Sequence, residues 1–234
     1  MSRIGGRMLV PQSAVQRIQA MILEGPLAPG ERLPAQRELS EQLGISRASL
    51  REALSVLETL GLVRVEVGRG VFVVGAGGET AGRRHVPKWR FADRYSPLEV
   101  YETRLMLEPR AAALAAVQPA EPALAEIGRS VERMRRAVEA GDLIAAADCD
   151  SVFHRAIVER SGNRMFVELF RTVDGVMDEI QRLPFIHQER IGETVDEHEA
   201  ILAALNAGDA GGSAKAMARH IMAAAGRIGV TLAL

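Results

Sequence analysis

Three histidines and one aspartate are of the types and spacing that bind metal ions. Asp150 and His154 are four residues apart, which places both on one face of a predicted helix. His198 and His220 each lie on the apolar stripe of a later predicted helix. Three imidazoles and a carboxylate suit Zn²⁺, Ni²⁺ or Mn²⁺ and leave positions for water or an anion. Spacing alone leaves the alternative that each histidine is a separate hydrogen-bonded core or surface residue.

An arginine on an apolar stripe is a second candidate for ligand chemistry. Arg104 shares its predicted helix face with Val100, Leu107, Ala111 and Leu114. A buried guanidinium needs an anionic partner, and a carboxylate ligand fits its bidentate fork. The alternative partners within the chain are Glu108, four residues on, and Asp150.

Two further polar residues lie near these candidates. Asn163 follows Gly162, where it either ends a helix in the left-handed conformation or contacts a ligand in the pocket. Cys149 is the only cysteine, so no intramolecular disulfide can form, and we expect a small packed residue in a cytoplasmic protein. No apolar run approaches the ~18 residues that cross a bilayer.

The elements that must position these residues are all helices. From Pro97 onward the apolar periodicity predicts helices and no strands, so we expect an antiparallel helical bundle. The predicted spans are 97–117, 121–140, 142–160, 164–182, 189–207 and 210–230.

The first part of the chain has a different pattern. Helical spacing runs from Gln12 to Leu23, Pro34 can start a second helix, and Ser46 can cap a third. Valines then alternate with polar residues over 63–67, and residues 71–74 form a return strand. Three helices followed by a hairpin predict a winged helix-turn-helix, the kind of domain that reads DNA.

Arginines stand where such a domain meets DNA. Arg47 and Arg51 share one face of the third helix with Ser49 nearby, although arginine is unfavourable in a first helical turn. Arg37 lies early in the preceding helix, and Arg69 lies at the hairpin tip. DNA phosphates and guanine base edges are partners that would favour arginine at these positions. The alternative is a solvated arginine surface.

Charge and composition divide the 234 residues in the same way. Residues 1–94 carry 14 Lys and Arg against 9 Asp and Glu, and the remainder carries 15 against 21, which gives +5 and −6. We therefore expect a DNA-binding domain over 1–74, a glycine-containing linker over 75–94 and a helical domain over 95–234. Trp89 and Phe91 in the linker are apolar enough to dock on a domain.

The first domain resembles the GntR family of transcription regulators. The resemblance rests on the runs Leu33 to Ser40, Ile45 to Leu54, and Gly68 to Val73. It implies an operator-binding winged helix with base contacts from Arg37, Arg47 and Arg51, assistance from Ser46 and Ser49, and Gly68 at the wing. Ala48 departs from the hydroxyl residue that is frequent in the family, which affects one polar contact.

The helical half resembles the FCD effector domain of the FadR subfamily in its metal-binding variant. The resemblance rests on the runs Asp150 to His154, Glu197 to Ile201, and His220–Ile221. It implies that Asp150, His154, His198 and His220 ligate a divalent metal, with zinc as the expected ion, and that a small carboxylate completes the shell. Arg104 would face that ligand.

The two resemblances together indicate a ligand-responsive regulator. We expect a homodimer that binds a near-palindromic operator and an organic or sugar acid that binds at the metal site. Repression that the ligand relieves is the commoner outcome in the family. One alternative is a metal-dependent enzyme, because a His₃Asp site can activate water. Another is a regulator whose metal is purely structural or is itself the signal.

Overall fold

The structure is a computed structural model that describes residues 10–23, 27–74, 79–80, 83–84, 91–119, 123–186 and 190–232. The chain divides into two compact units, Met1–Lys88 and Trp89–Leu234. No helix among the described residues is long and apolar enough to span a membrane. Trp89, which the sequence places in the predicted linker, lies outside the described residues, as do His85 and His187.

The first unit begins with three helices, α1 (Val10–Leu23), α2 (Gln36–Leu43) and α3 (Arg47–Thr59). Helices α1 and α3 pack together through fully buried aliphatic side chains, including Ile18, Leu50 and Leu57. Gly44 ends α2 in the left-handed conformation, at φ 66°. The prediction that Pro34 starts α2 was wrong, because the helix begins two residues later, after Ala35 as its N-cap.

A β-hairpin, called the wing below, follows the three helices. Strand β1 (Val63–Glu66) pairs antiparallel with β2 (Gly70–Val73), so that Arg64 lies opposite Phe72 and Glu66 opposite Gly70. Residues 30–33 add a short edge on the other side of β2, with Leu33 donating to the carbonyl of Val71 at 2.8 Å. A second small pair, β3 (Glu79–Thr80) and β4 (Arg83–Arg84), lies within the predicted linker. The described part of the first unit is thus a winged helix-turn-helix, as predicted.

The second unit is helical throughout its described residues. Its helices are α4 (Pro97–Ala116), α5 (Ala123–Glu139), α6 (Leu143–Arg160), α7 (Arg164–Thr172), α8 (Asp174–Arg182), α9 (Ile191–Asn206) and α10 (Ala210–Arg227), with a 3-10 turn at Leu183–Ile186. The single helix predicted over 164–182 is in fact two, divided at Val173. Thr172 and Val173 are β-branched and a glycine follows at 175, and both features weaken a continuous helix.

The bundle core holds the helices that carry the candidate site. Helix α4 packs along α10 and against α6, and α9 packs beside α10. Ser96 starts α4 with a reciprocal capping box to Glu99, and Asp142 and Asp209 cap α6 and α10. Phe91, expected to dock, packs against the core of this unit. These contacts fix the facing sides of α4, α6, α9 and α10, on which the polar core residues lie.

Candidate metal centre and nucleic-acid interface

The four predicted metal ligands meet in the core of the bundle. Asp150 and His154 come from α6, His198 from α9 and His220 from α10. Each side chain offers one ligand atom, and these atoms all lie within 4.8 Å of one another. All four residues are at most 3% exposed. Residues separated by up to 70 positions in the sequence therefore form one buried polar cluster, called the His₃Asp cluster below.

The ring nitrogens and the carboxylate of the cluster face each other closely. Nε2 of His154 lies 3.1 Å from Nε2 of His220, and Nε2 of His198 lies 3.2 Å from Oδ1 of Asp150. Oδ2 of Asp150 lies 3.8 Å from Nε2 of His154. The ring of Phe153 stacks on His198, with centroids 3.9 Å apart and planes 12° apart, so an apolar wall orients that imidazole.

A glutamate on α4 lies behind His154. Oε2 of Glu108 is 2.5 Å from Nδ1 of His154, and Oε1 of Glu108 accepts a hydrogen bond of 2.7 Å from Nε of Arg104. Arg104 and Glu108 are both 1% exposed. Of the partners that the sequence left open for Arg104, the structure therefore shows Glu108.

A second glutamate lies behind His220 in the same way. Oε2 of Glu197 is 2.8 Å from Nδ1 of His220, while its Oε1 accepts a hydrogen bond from Arg227. Arg227 also contacts Glu193 at 3.4 Å. Two histidines of the cluster thus have the same arrangement, in which an arginine holds a carboxylate and the carboxylate holds Nδ1.

These contacts favour one tautomer of each imidazole. Glu197 forms a hydrogen bond with Nδ1 of His220, and Oε2 of Glu108 lies against Nδ1 of His154, so a neutral ring at either position is favoured with its proton on Nδ1. In the neutral form that metal binding requires, each ring presents a lone pair at Nε2, and two such lone pairs 3.1 Å apart cannot form a hydrogen bond with each other. A cation that both rings ligate would satisfy both. The donor set, with a carboxylate behind each of two histidines, fits a divalent metal.

The ionisation of the cluster agrees with this fit. Burial alone would raise the pKa of Asp150, but the effects of His154 and His198 outweigh burial and hold this pKa well below its usual value. Glu108 behaves alike, since Arg104 and His154 outweigh burial and lower its pKa. Burial lowers the pKa of His198 and places that of His220 well below its usual value. Asp150 and Glu108 are therefore charged, and the imidazoles of His198 and His220 are neutral near pH 7, as metal binding requires. Burial raises the pKa of Glu197, against the opposing effect of Arg227.

Arg104 also faces the cluster directly. Its Nη2 lies 3.4 Å from Nε2 of His154, while its Nε remains with Glu108. The guanidinium carbon lies 5.4 Å from the ring centre of Tyr101, one turn earlier on α4. Among the described residues, no hydrogen-bond partner reaches the buried Tyr101 hydroxyl. The same holds for Nε and Nη1 of Arg227. Buried donors without a partner among the described residues thus lie on α4 and α10, the helices that carry Arg104 and His220.

Asn163 has a local role in the structure. Its side-chain oxygen accepts hydrogen bonds from the backbone of Met165 at 3.0 Å and Phe166 at 3.3 Å, which caps the start of α7. The prediction that Asn163 adopts the left-handed conformation was wrong, because Gly162 does so at φ 69° and Asn163 is extended. A contact from Asn163 to an effector stays a prediction.

Sequence reasoning missed several residues of the site. Glu108 was considered only as a partner of Arg104, and Glu197, Arg227 and Tyr101 were not considered as site residues. One signal was available, because Arg227 follows His220 by seven residues and so shares its helix face. Glu197 gives no such signal, because its neighbour His198 points elsewhere from the same helix.

The predicted DNA-contact residues lie on the surface of the first unit. Arg47 and Arg51 are exposed at the start of α3. Ser46 accepts a hydrogen bond of 3.0 Å from the backbone of Ser49 and so caps the helix. Arg37 is exposed on α2 and lies 3.9 Å from Glu41. The first two turns of α3 thus present two exposed guanidinium groups together with the helix N-terminus, an arrangement that suits phosphate and base edges.

The wing carries more arginines than the sequence argument assigned. Gly68 allows the turn at φ 76°, and Arg69 is exposed at its tip with Nη1 2.5 Å from Glu66. Arg64 contacts the same carboxylate at 2.7 Å. Because side chains alternate along a strand, the apolar Val63 next to Arg64 could have predicted that Arg64 lies on the outer face. The pattern could not have predicted that Arg64 lies beside Arg69.

Comparisons with known proteins agree with both halves of the chain. Residues 11–73 match the bacterial regulatory proteins of the gntR family, and residues 99–223 match the FCD domain. The chain is 31% identical over 211 residues to the Uxu operon transcriptional regulator of Escherichia coli K12, covering 87% of this chain and 80% of that protein. It is 28% identical over 218 residues to the HTH-type transcriptional regulator LutR of Bacillus subtilis 168, covering 86% and 93%.

A solved structure has a similar fold. The E. coli McbR/YncC structure aligns with a TM-score of 0.50 at 25% identity and covers 94% of this chain and 97% of that one. The relatives and both domain matches are regulators, so the enzyme alternative is not favoured. The chain belongs to the GntR family of bacterial regulatory proteins, as a ligand-responsive DNA-binding transcription regulator with an FCD effector domain.

Proposed function

We propose that this regulator senses a small carboxylate metabolite at a zinc ion held by the His₃Asp cluster, and that the metabolite changes its affinity for a near-palindromic operator. The regulator acts as a homodimer and as a repressor that the metabolite releases. The observation that carries the proposal is the pair of imidazole Nε2 atoms that face each other at 3.1 Å, each with a carboxylate behind its ring.

Zinc is the ion that this donor set favours. Asp150, His154, His198 and His220 would hold it, and nitrogen-rich sites with one carboxylate suit zinc, with nickel and manganese as further candidates. When bound, the ion supplies a positive charge and open positions that an acid's oxygen atoms can take. The Nδ1–H groups of His154 and His220 would remain directed at the carboxylates of Glu108 and Glu197, which would keep both rings oriented.

Arg104 is the residue that favours an acid as the ligand. It is buried, its Nε donates to Glu108, and its Nη2 lies 3.4 Å from Nε2 of His154, so its guanidinium faces the cluster. A planar guanidinium recognises a carboxylate through two parallel hydrogen bonds. An acid that reaches the cluster is thus attracted by both the ion and the arginine. Tyr101 and Arg227 offer further hydrogen-bond donors from buried positions.

The DNA side of the proposal rests on the first turn of α3 and on the wing. Arg47 and Arg51 read base edges in the major groove, with Ser46 and Ser49 assisting. Arg37 contacts the phosphate backbone or a neighbouring base. Gly68 and Arg69 place the wing tip against the sugar-phosphate backbone. Two such units in a dimer require two half-sites, which makes the operator near-palindromic.

An acid can change DNA binding only by favouring one arrangement of the protein over another. Its affinity must therefore differ between the DNA-binding form and the released form. Repression relieved by the acid corresponds to tighter acid binding in the released form. By reciprocity, operator DNA then weakens acid binding by the same factor.

A thermal-shift screen tests the sensor. The protein is loaded with zinc and mixed with a panel of organic and sugar acids, alongside a His154→Ala/His198→Ala variant. A ligand that binds only the folded protein raises its stability by about 2.7 kcal/mol at a hundredfold excess over Kd. We expect some acids to stabilise the wild type and none to stabilise the variant. If zinc stabilises the bundle and no acid adds to it, the metal is structural or is itself the signal, and the sensor proposal fails.

A further inference from the structure

The outer face of the wing carries charged side chains around one aromatic ring. The strand register places Arg64 and Phe72 opposite each other, and Glu66 opposite Gly70. Side chains alternate along a strand, so these four positions share one face. The other face is apolar, with Val63, Val71 and Val73 buried and Val65 partly buried. The charged face is therefore the one that is available to a partner.

Glu66 holds two arginines on this face. Its Oε1 lies 2.7 Å from Nη2 of Arg64, and its Oε2 lies 2.5 Å from Nη1 of Arg69. The two guanidinium carbons lie 5.8 and 5.9 Å from the ring centre of Phe72, at cation–π distance. The Glu66 side chain is 17% exposed, whereas that of Arg69 is 75% exposed. One carboxylate thus fixes both guanidinium groups against the same ring.

A third arginine crosses the same face at Gly70. Arg32 pairs with Phe72 through the backbone at the outer edge of β2. A Cβ atom at position 70 would collide with the Arg32 guanidinium, whose Cζ would lie only 3.0 Å away. Gly70 therefore leaves the room that Arg32 occupies. With three arginines and one glutamate, the face has a net charge of +2.

We propose that Glu66 is a specificity-determining residue of the DNA interface. Glu66 fixes Arg64 and Arg69 in one geometry, and its negative charge lowers the net positive charge of the wing face by one. Attraction to any DNA sequence follows the net charge of the surface, whereas recognition of one site requires side chains in fixed positions. Glu66 thus weakens binding to unrelated DNA and strengthens binding to the preferred site. The inference rests on the wing contact in the proposed function.

A substitution that removes only the charge tests this inference. Glu66→Gln keeps the shape of the side chain but loses its ion pairs with both arginines. We expect affinity for unrelated DNA to rise about threefold, because one repulsive charge is gone. We expect affinity for the preferred site to fall about threefold, because both arginines must then be ordered on binding. The ratio of the two affinities falls about tenfold.

Glu38→Gln is the charge-matched control. Glu38 is exposed on α2, in the same unit, and forms no ion pair with any other residue that the structure describes. This variant changes the net charge by the same amount without releasing an arginine. We expect its affinity ratio to equal that of the wild type. An equal fall in both variants would overturn the inference, because net charge alone would then explain it.

The measurement is fluorescence anisotropy with full-length protein and two DNA duplexes. One duplex is enriched from a random-sequence library by the wild type, and the other is a scrambled duplex of the same composition. An Arg69→Ala variant is included alone and with Glu66→Gln. We expect Arg69→Ala to weaken binding to the enriched duplex, and Glu66→Gln to have a smaller effect in its presence.

The outcomes separate this inference from the proposed function. If Arg69→Ala binds both duplexes like the wild type, the wing does not contact DNA, and that part of the proposed function fails together with the inference. If Arg69→Ala weakens binding but Glu66→Gln leaves the ratio unchanged, only the role of Glu66 is overturned. Melting curves of each variant verify that the wing unit is folded.

Discussion

Replacing Glu197 by glutamine should weaken metal binding although Glu197 is not a ligand. Its carboxylate lies 2.8 Å from Nδ1 of His220 and is held by Arg227 on the other side. The carboxylate fixes the proton on Nδ1 and makes the opposite nitrogen a better donor to a cation. In Glu197→Gln, an amide oxygen can still accept from Nδ1, but the negative charge is gone.

The size of the effect follows from what the amide keeps. Loss of such a supporting group typically lowers metal affinity about 10- to 100-fold. Since glutamine keeps an acceptor at the same distance, we expect the lower end, about tenfold, or about 1.4 kcal/mol. Arg227 keeps Glu193 at 3.4 Å but loses its closer partner. The metal-free protein should therefore also lose about 1.5–3 kcal/mol in its free energy of unfolding.

Competition with a chromophoric zinc chelator measures the affinity of the folded protein and so separates the two effects. Glu193→Gln is the matched control, because Glu193 contacts Arg227 but not His220, and is half exposed. We expect zinc affinity to be unchanged in this control. Denaturant unfolding of both metal-free variants gives the stability term independently.

Two results would refute the reasoning. Unchanged zinc affinity in Glu197→Gln would show that the carboxylate does not support His220 as a ligand. An equal loss in Glu193→Gln would show that the effect comes from disturbing Arg227 rather than from the contact with His220.

Three further predictions concern single side chains. Arg104→Lys keeps a charge beside Glu108 but loses the planar fork, so calorimetry should show weaker acid binding and an unchanged affinity for zinc. An equal loss of affinity for the acid and for zinc would contradict a role of Arg104 in acid recognition. Tyr101→Phe removes a buried hydroxyl without a partner among the described residues, so the free energy of unfolding should stay equal or rise, and a loss above about 1 kcal/mol would reveal a partner. Ser46→Ala removes the cap of α3 and should lower the free energy of unfolding in urea by about 1 kcal/mol, and an unchanged midpoint would argue against the cap.

Much of the metal cluster could be predicted because helical periodicity is local. The spacing of Asp150 and His154 places them together whatever the rest of the chain does, and the apolar stripes around His198 and His220 orient both inward. The supporting carboxylates could not be predicted in the same way. Which glutamate lies behind which histidine depends on the packing of α4 and α9 against their neighbours, and no sequence spacing encodes that packing.

The errors at element boundaries have local causes. A helix over 164–182 fits the periodicity on both sides of Val173, so the break depends on the weak helix propensity of Thr172, Val173 and Gly175 rather than on a left-handed glycine cap or a proline. Asn163 follows a glycine that takes the left-handed conformation itself, which frees the asparagine to cap the next helix. At the wing, the alternation of side chains along β1 predicts the face on which Arg64 lies. The contact with Glu66 that Arg64 and Arg69 share depends on the geometry of the turn.

An acid bound at the His₃Asp cluster should change the affinity of the regulator for DNA. The most direct measurement is the Kd of the zinc-loaded protein for the library-enriched duplex, with and without the acid that the thermal-shift screen selects. We predict that the acid weakens DNA binding by about 5- to 150-fold in the wild type and has no effect in His198→Ala. An acid that stabilises the wild type yet leaves its Kd for DNA unchanged would contradict the account.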